Sequence, residues 1–368
     1  MKVLHVDTAR DWRGGQNQVL LTGLGMTARG HSVAIACRSG GALEARARAA
    51  GLDVHAMPFR GDVSPRAMLA LRGLTARFGP DIVQLHDPHA LVPGLVSGAQ
   101  RCVATRRVDF PLRGPLSRIK YSACERTLAV SRRIAAVLAE SGLPEQSIRV
   151  VYEGVPDRRA VPGGRDALRA MGAPDDALLI GNVAALVDHK DHATLLRALA
   201  LAIPRAPSLF LFVLGEGAER GRLETLARDL GIADRCRFAG FREDVDRLLP
   251  AFDVFCLSSY LEGLGTSLLD AMCFARPIVA TAAGGIPEAV EDGVNGRLVE
   301  ARSPEALAQA LVDVARREDV RKRYGAAGRR IFESRFSADR MVDETLRAYA
   351  ESEASVSRVR TSSERNSS

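Results

Sequence analysis

The chain has 368 residues, 46% of them hydrophobic and 26% charged, and a formal net charge of +7. That length exceeds one ordinary core and fits two α/β domains, and the balance is that of a soluble globular protein rather than a fibre or a disordered chain. No apolar run approaches the roughly 20 residues of a membrane span, and the opening Met1–Asp7 meets an aspartate too early to be a secretory signal.

Taken in order, the first half alternates short apolar runs with amphipathic stretches. Strands are predicted at Val3–Val6, Ser32–Cys37, Val54–Met57, Ile82–Leu85, Cys102–Thr105 and Thr127–Val130. Helices are predicted between them, for example at Gln16–Ala28 and Arg132–Glu140. This rhythm implies a doubly wound parallel sheet. The loop after the first strand ends in Gly14-Gly15 at a helix start, where bare amides suit a phosphate or simply a flexible turn. His86-Asp87-Pro88-His89 follows the fourth strand, where its imidazoles could contact a sugar or an acceptor, cap a helix or pack in the core.

From Arg101 to Arg133 nine basic residues face two acidic ones, an excess equal to that of the whole chain. Such a segment is either a solvated helix surface or a face for phosphates, anionic lipid or nucleic acid. Only two aromatics, Phe110 and Tyr121, lie among its basic residues, so nucleic acid is not expected as a partner.

A Gly- and Pro-rich stretch, Glu153–Gly164, breaks the rhythm and reads as a linker. The alternation restarts with strands predicted at Leu178–Val183, Leu209–Leu214, Arg237–Ala239, Val254–Leu257 and Ile278–Ala280. Lys190, one of only four lysines, ends the first strand-to-helix loop of this half. A compact ammonium there fits a leaving phosphate. His189 and His192 beside Asp188 and Asp191 do not follow a metal-ligand spacing, and no metal is expected. Gly215-Glu216-Gly217 after the next strand approaches a dinucleotide fingerprint, but the acidic residue that should follow arrives late, at Glu243.

The densest chemistry lies in Glu262-Gly-Leu-Gly-Thr-Ser-Leu-Leu-Asp270. Gly263 and Gly265 let a ligand approach the backbone, Thr266 and Ser267 are natural helix caps, and the free amides of the helix start form an anion site. Carboxylates at Glu262 and Asp270 flank it. A cradle for phosphate beside groups for hydroxyls suits a sugar nucleotide. The six cysteines form no C-x-x-C pair, and most sit in apolar runs, so they read as buried thiols of a reducing compartment. The Ser- and Arg-rich tail from Glu351 reads as disordered.

The ordered set of loops resembles glycosyltransferase family four, over roughly Met1 to Ala350. Its acidic-x7-acidic motif looks like Glu262 to Asp270, its phosphate lysine like Lys190, and its glycine turn like Gly215-Glu216-Gly217. Thr281–Glu288 followed by Gly293–Gly296, and Trp12–Gly15, match further hallmarks. The resemblance implies a GT-B fold: two facing Rossmann-like, doubly wound parallel-sheet domains with an inter-domain cleft. The expected divisions are an acceptor-side domain over 1–157, a nucleotide-sugar domain over 158–335, a helix crossing back over 336–350, and a tail over 351–368.

It also implies roles. Glu262 and Lys190 are catalytic, at the donor sugar and the diphosphate. Amides around Gly263, Leu264, Gly265, Thr266, Ser267 and Leu268, with Gly14 and Gly15, bind phosphate. Asp270 holds the ribose, the turn at Gly215 and Glu216 lines the donor site, and the backbone near Phe241 and Arg242 meets the base. His86 and Arg107 are candidate sugar or acceptor contacts. The expected activity is metal-independent, retaining transfer of a hexose-like unit from a nucleotide-diphosphate sugar to a glycan or lipid-linked acceptor. It needs no cofactor beyond that donor. It would serve cell-envelope polysaccharide synthesis in the cytoplasm, with a peripheral membrane contact through residues 101–133. The chain departs from the family where Asp270 replaces the usual Glu, where Ala184-Ala185 replace an arginine, and where Thr105-Arg106-Arg107 stand at the place of a histidine that many members carry. A nucleotide-sugar epimerase, an NAD-dependent oxidoreductase and a degenerate binding scaffold remain alternatives.

Overall fold

A computed structural model of the chain describes residues 1–61 and 64–365, with side chains through 351. Two compact units emerge. One comprises Met1–Pro156 together with the chain from Ala338 onward, and the other comprises Asp157–Ser337.

The first unit holds β1 (Lys2–Asp7), β2 (Ser32–Arg38), β3 (Asp53–Met57), β4 (Ile82–Leu85), β5 (Cys102–Arg106), β6 (Arg126–Ala129) and β7 (Ile148–Val150). They form one sheet in the order β3-β2-β1-β4-β5-β6-β7, parallel throughout. The second unit holds β8 (Leu178–Val183), β9 (Leu209–Leu214), β10 (Cys236–Gly240), β11 (Val254–Leu257), β12 (Ile278–Thr281) and β13 (Gly296–Val299). Its order is β10-β9-β8-β11-β12-β13, again parallel. In both sheets the chain winds outward from the first strand, then returns to its other side. That reversal is the Rossmann-type switch point, where a crevice opens beyond the strand ends. It lies between β1 and β4 in one unit and between β8 and β11 in the other.

Burial explains the strand sequences. All six residues of β9, Leu-Phe-Leu-Phe-Val-Leu, are buried, as befits a central parallel strand covered on both faces. The edge strands β7 and β13 are too short and polar to read from hydrophobic runs, and both go unpredicted in the sequence. Pro304 at the first turn starts the helix Pro304–Ala315, and the Ser303 hydroxyl accepts the Ala306 amide. Gly79, left-handed at φ 60°, ends the helix Pro65–Phe78.

The last helix, Ala338–Arg365, belongs to the first unit's core: Met341, Val342, Ala348 and Tyr349 pack with Val3, Met26, Val103 and Leu128. The Tyr349 hydroxyl donates to Gln84 Oε1 at 2.6 Å. Sequence composition gave disorder from 351, yet the backbone stays helical to Arg365. Once a docked segment nucleates the helix, Glu, Ala and Arg propagate it at little cost.

The basic segment 101–133 is not one charged surface. Arg101 pairs with Glu125, Arg107 with Glu153 and Arg126 with Glu351, and Arg106 is buried, donating to the Phe110 carbonyl. All six cysteines are buried, and none is joined in a disulfide. Among the described residues no helix is long and apolar enough to cross a membrane.

Candidate functional site

In the second unit the loops after β8 and β11 flank the switch point and are stitched together. Tyr260 N donates to the His189 carbonyl at 3.0 Å, and Ser258 Oγ donates to the Lys190 carbonyl at 3.0 Å. Beneath them the Asn182 side chain donates to the Cys256 carbonyl at 2.9 Å and accepts from the buried His192 Nε2. Burial first, then the Lys190 ammonium, pushes His192 down to about 4, so it is a neutral strut.

Lys190 sits at the end of a single 3-10 turn, Asp188–Lys190. The next residue, Asp191, adopts φ 47°, a left-handed conformation unusual outside glycine. Its carboxylate accepts from the Thr194 amide at 3.2 Å and the Thr194 hydroxyl at 2.7 Å. That cap offsets the strain and turns Lys190 toward β11, where its ammonium pairs with the Glu262 carboxylate. Ser259 Oγ holds the same Glu262 oxygen at 3.1 Å. The sequence brings these two charges no closer than 72 positions; the switch point puts them in contact.

Gly265 precedes the helix Thr266–Cys273 at φ 87° and is its cap residue, with no side-chain cap bond. This corrects the expectation that Thr266 or Ser267 caps it: both lie inside the first turn. Their amides still lack an intrahelical acceptor by position, so the anion site remains. Leu264 and Leu268 are buried core side chains, so they can meet a ligand only through their backbone.

Asp270, one turn further, pairs with Arg158, which also donates to Asp246 at 2.7 Å. Burial pushes its carboxyl up to about 6, against the pull of Arg158 and aided by Asp246. Arg158 lies in the stretch read as linker, and no sequence spacing links it to Asp270. Tyr260 is similarly unforeseen. Its hydroxyl bonds Asp188, and the Arg302 guanidinium lies 4.0 Å from its ring centroid. The three side chains tie the loops after β8, β11 and β13.

The glycine turn has a packing cause. A Cβ on Gly215, at φ 151°, would stand 1.9 Å from the Ala184 carbonyl oxygen, and one on Gly217 2.2 Å from that of Leu186. These glycines let two loops of the protein touch. Glu216 pairs with Arg220, Arg242 pairs with Asp244, and Phe241 is exposed.

In the first unit, Gly14 begins the helix Gly14–Ala28, and a Cβ on Gly15 would lie 3.5 Å from the Arg107 side chain. Arg107 donates to Glu153 at 2.9 Å and to the His86 carbonyl at 2.9 Å, and its other nitrogen faces His86 Nδ1 at 3.2 Å. An arginine only donates, so His86 Nδ1 accepts and its proton sits on Nε2. That proton points to His5 Nδ1, 2.9 Å away. Burial and then Arg107 hold both imidazoles well below their usual range, His5 at about 4. His86 is therefore neutral, with both nitrogens engaged. Among the described residues no three His, Cys, Asp or Glu side chains gather as a metal-ligand group.

Residues 12–159 match the model of Glycosyltransferase Family 4, and residues 165–331 that of Glycosyl transferases group 1. The chain is 31% identical to a lipopolysaccharide core biosynthesis glycosyltransferase, LpsE, of Rhizobium meliloti, over 77% of this chain and 79% of that one. The chain belongs to glycosyltransferase family 4. This glycosyltransferase is also 37% identical to D-inositol 3-phosphate glycosyltransferase of Saccharomonospora viridis, over 56% of its own length and about half (51%) of that relative's. Its fold is that of Anabaena HepE, solved with UDP and glucose, with a TM-score of 0.84 at 20% identity over 95% of this chain and 100% of that one. The two parallel-sheet, Rossmann-like units are those of the GT-B fold.

Proposed function

We propose that the enzyme moves a sugar from a nucleotide-diphosphate donor to a glycan or lipid-linked acceptor, with retention at the anomeric carbon and without a metal. The contact of Lys190 with Glu262, beside the start of the helix Thr266–Cys273, carries this reading. Bond breaking at the anomeric carbon leaves negative charge on the diphosphate and positive charge on the sugar. Lys190 and the amides of Thr266 and Ser267 meet the first, and Glu262 meets the second. The acceptor oxygen bonds the anomeric carbon as the phosphate oxygen departs, and that oxygen takes the acceptor proton. No side-chain base is required, which fits a His86 whose lone pair is held by Arg107. Asp270 accepts from the ribose hydroxyls. Since HepE was solved with UDP and glucose, the test begins with UDP-sugars, then GDP- and ADP-sugars, in EDTA. Transfer should persist, and NMR should show the donor's anomeric configuration in the product; inversion, or loss of activity in EDTA that added metal restores, overturns it.

A membrane-facing role, at the inner surface of the cell membrane and in envelope polysaccharide synthesis, draws support from the helix Gly114–Ser122. Leu116 and Ile119 are 67% and 61% exposed, with Phe110 nearby in sequence and Arg113, Arg118 and Lys120 interspersed. Apolar tips among cations suit anionic lipid. The protein should float with anionic but not with neutral vesicles, and Leu116→Ser with Ile119→Ser should abolish that. Equal flotation of the double variant removes the proposal.

A further inference from the structure

At the carboxyl edge of the first sheet lies a cavity of about 250 Å³, bordered by Thr8, Arg38, Phe59, Gly61 and Asp87. It sits beyond β1 to β4, across that unit's own switch point. Asp87 is not its reactive group. Its carboxylate accepts the Thr8 amide at 2.7 Å, the Thr8 hydroxyl at 2.8 Å, and the amides of His89 and Ala90 at 2.9 and 3.1 Å. It therefore serves as a clasp between the loops after β1 and β4.

Arg38 is different. It is the last residue of β2, half-buried, and its guanidinium has no ion-pair or hydrogen-bond partner among the described residues. The same holds for Arg10 and Arg60, exposed residues that adjoin the cavity's Ala9 and Phe59 in sequence. Elsewhere arginines such as Arg29, Arg101, Arg107, Arg158 and Arg329 are matched to carboxylates. Among the described residues, then, Arg38 borders the cavity, Arg10 and Arg60 adjoin its lining in sequence, and the lining carboxylate, Asp87, is already committed to four donors. Low-dielectric walls that include the buried Phe59 concentrate the arginines' field on whatever enters. A guanidinium fork binds phosphate or carboxylate through two parallel hydrogen bonds. The volume, at the low end of the several hundred Å³ usual for small-molecule sites, holds roughly one substituted ring.

We propose that this cavity binds a sugar-sized group bearing an anionic substituent, phosphate or carboxylate, through Arg38. This rests on the glycosyltransferase reading, in which such a group belongs to the acceptor. The test is calorimetry of the full chain with glucose 6-phosphate, glucuronate and glucose. One charged sugar should bind at least ~10-fold more tightly than glucose, a difference of about 1.4 kcal/mol, and the stronger of the two identifies the substituent. Arg38→Gln should erase the preference, and Arg38→Lys, keeping charge but not the fork, should retain part of it. Equal binding of charged and neutral sugars, or a preference that survives Arg38→Gln, overturns the proposal. Arg38→Lys carries the comparison if the glutamine variant does not fold. Melting of the wild-type chain with UDP is measured alongside. No stabilisation by UDP would count against the donor reading and leave the cavity result standing.

Discussion

Lys190 and Glu262 pair with each other, so a diphosphate that binds Lys190 must replace one side of that pair. Lys190→Ala should therefore lower turnover about 100-fold or more, the loss typical of removing one preorganised charge-stabilising donor. Steady-state kinetics at saturating donor would show it, and a wild-type rate would refute the assignment. Asp270 offers a second residue-level test with two opposed pH effects. Its carboxyl titrates near 6, above the ordinary 3.8, so the folded state holds the proton more tightly than the unfolded one. The stability that proton supplies is complete below about 4 and lost as the pH rises through about 6. Donor binding runs the other way, because only the charged carboxylate accepts from both ribose hydroxyls. Wild-type donor KM should rise as the pH falls through 6, and Asp270→Asn should flatten both the KM profile and the stability difference. Glu262 and Asp270 stood out in the sequence as candidates because they sit at fixed spacing on one loop and helix. Arg158 and Tyr260 were not singled out, since each meets residues roughly 40 to 110 positions away along the chain.

At the level of elements, loops do the positioning and their joints are tight. A Cβ on Gly215 would overlap the Ala184 carbonyl, so Gly215→Ala must push the loops after β8 and β9 apart. We expect a loss of several kcal/mol, the range of severe core strain, visible in urea denaturation; a variant as stable as wild type would show that the loops can separate freely. Ser303→Ala is the mild counterpart: losing one cap bond should cost about 1 kcal/mol and leave catalysis intact. Central strands were readable as uninterrupted apolar runs, because parallel strands are covered on both faces. Of the edge strands, β7 and β13 were missed because each is short and interrupted by an arginine, whereas β3 and β10 were read from Val54–Met57 and Arg237–Ala239. The cap of the helix Thr266–Cys273 was misplaced because Thr and Ser favour caps by propensity, whereas the turn there demands a left-handed residue and only Gly265 meets it cheaply.

For the whole molecule, the first unit is discontinuous in sequence: the chain leaves it at Pro156 and rejoins it at Ala338. Its core is completed by Met341, Val342 and Tyr349. Ending the chain at Ser337 should unfold the first unit while the second keeps its cooperative transition, and differential scanning calorimetry would resolve the two. A truncated chain with both transitions unchanged would mean that the helix only decorates the surface. The alternation of apolar runs and turn residues determined, without any coordinates, two doubly wound sheets and the loops that carry the candidate residues, since both follow from local periodicity and backbone chemistry. Only the tertiary structure decided which charges meet: that Lys190 lies on Glu262, that Arg158 holds Asp270, that His86 is silenced by Arg107, and that Arg38 has no partner among the described residues. Such pairings depend on strand order and side-chain direction across the sheet, and Coulomb attraction leaves no mark in the linear spacing of residues.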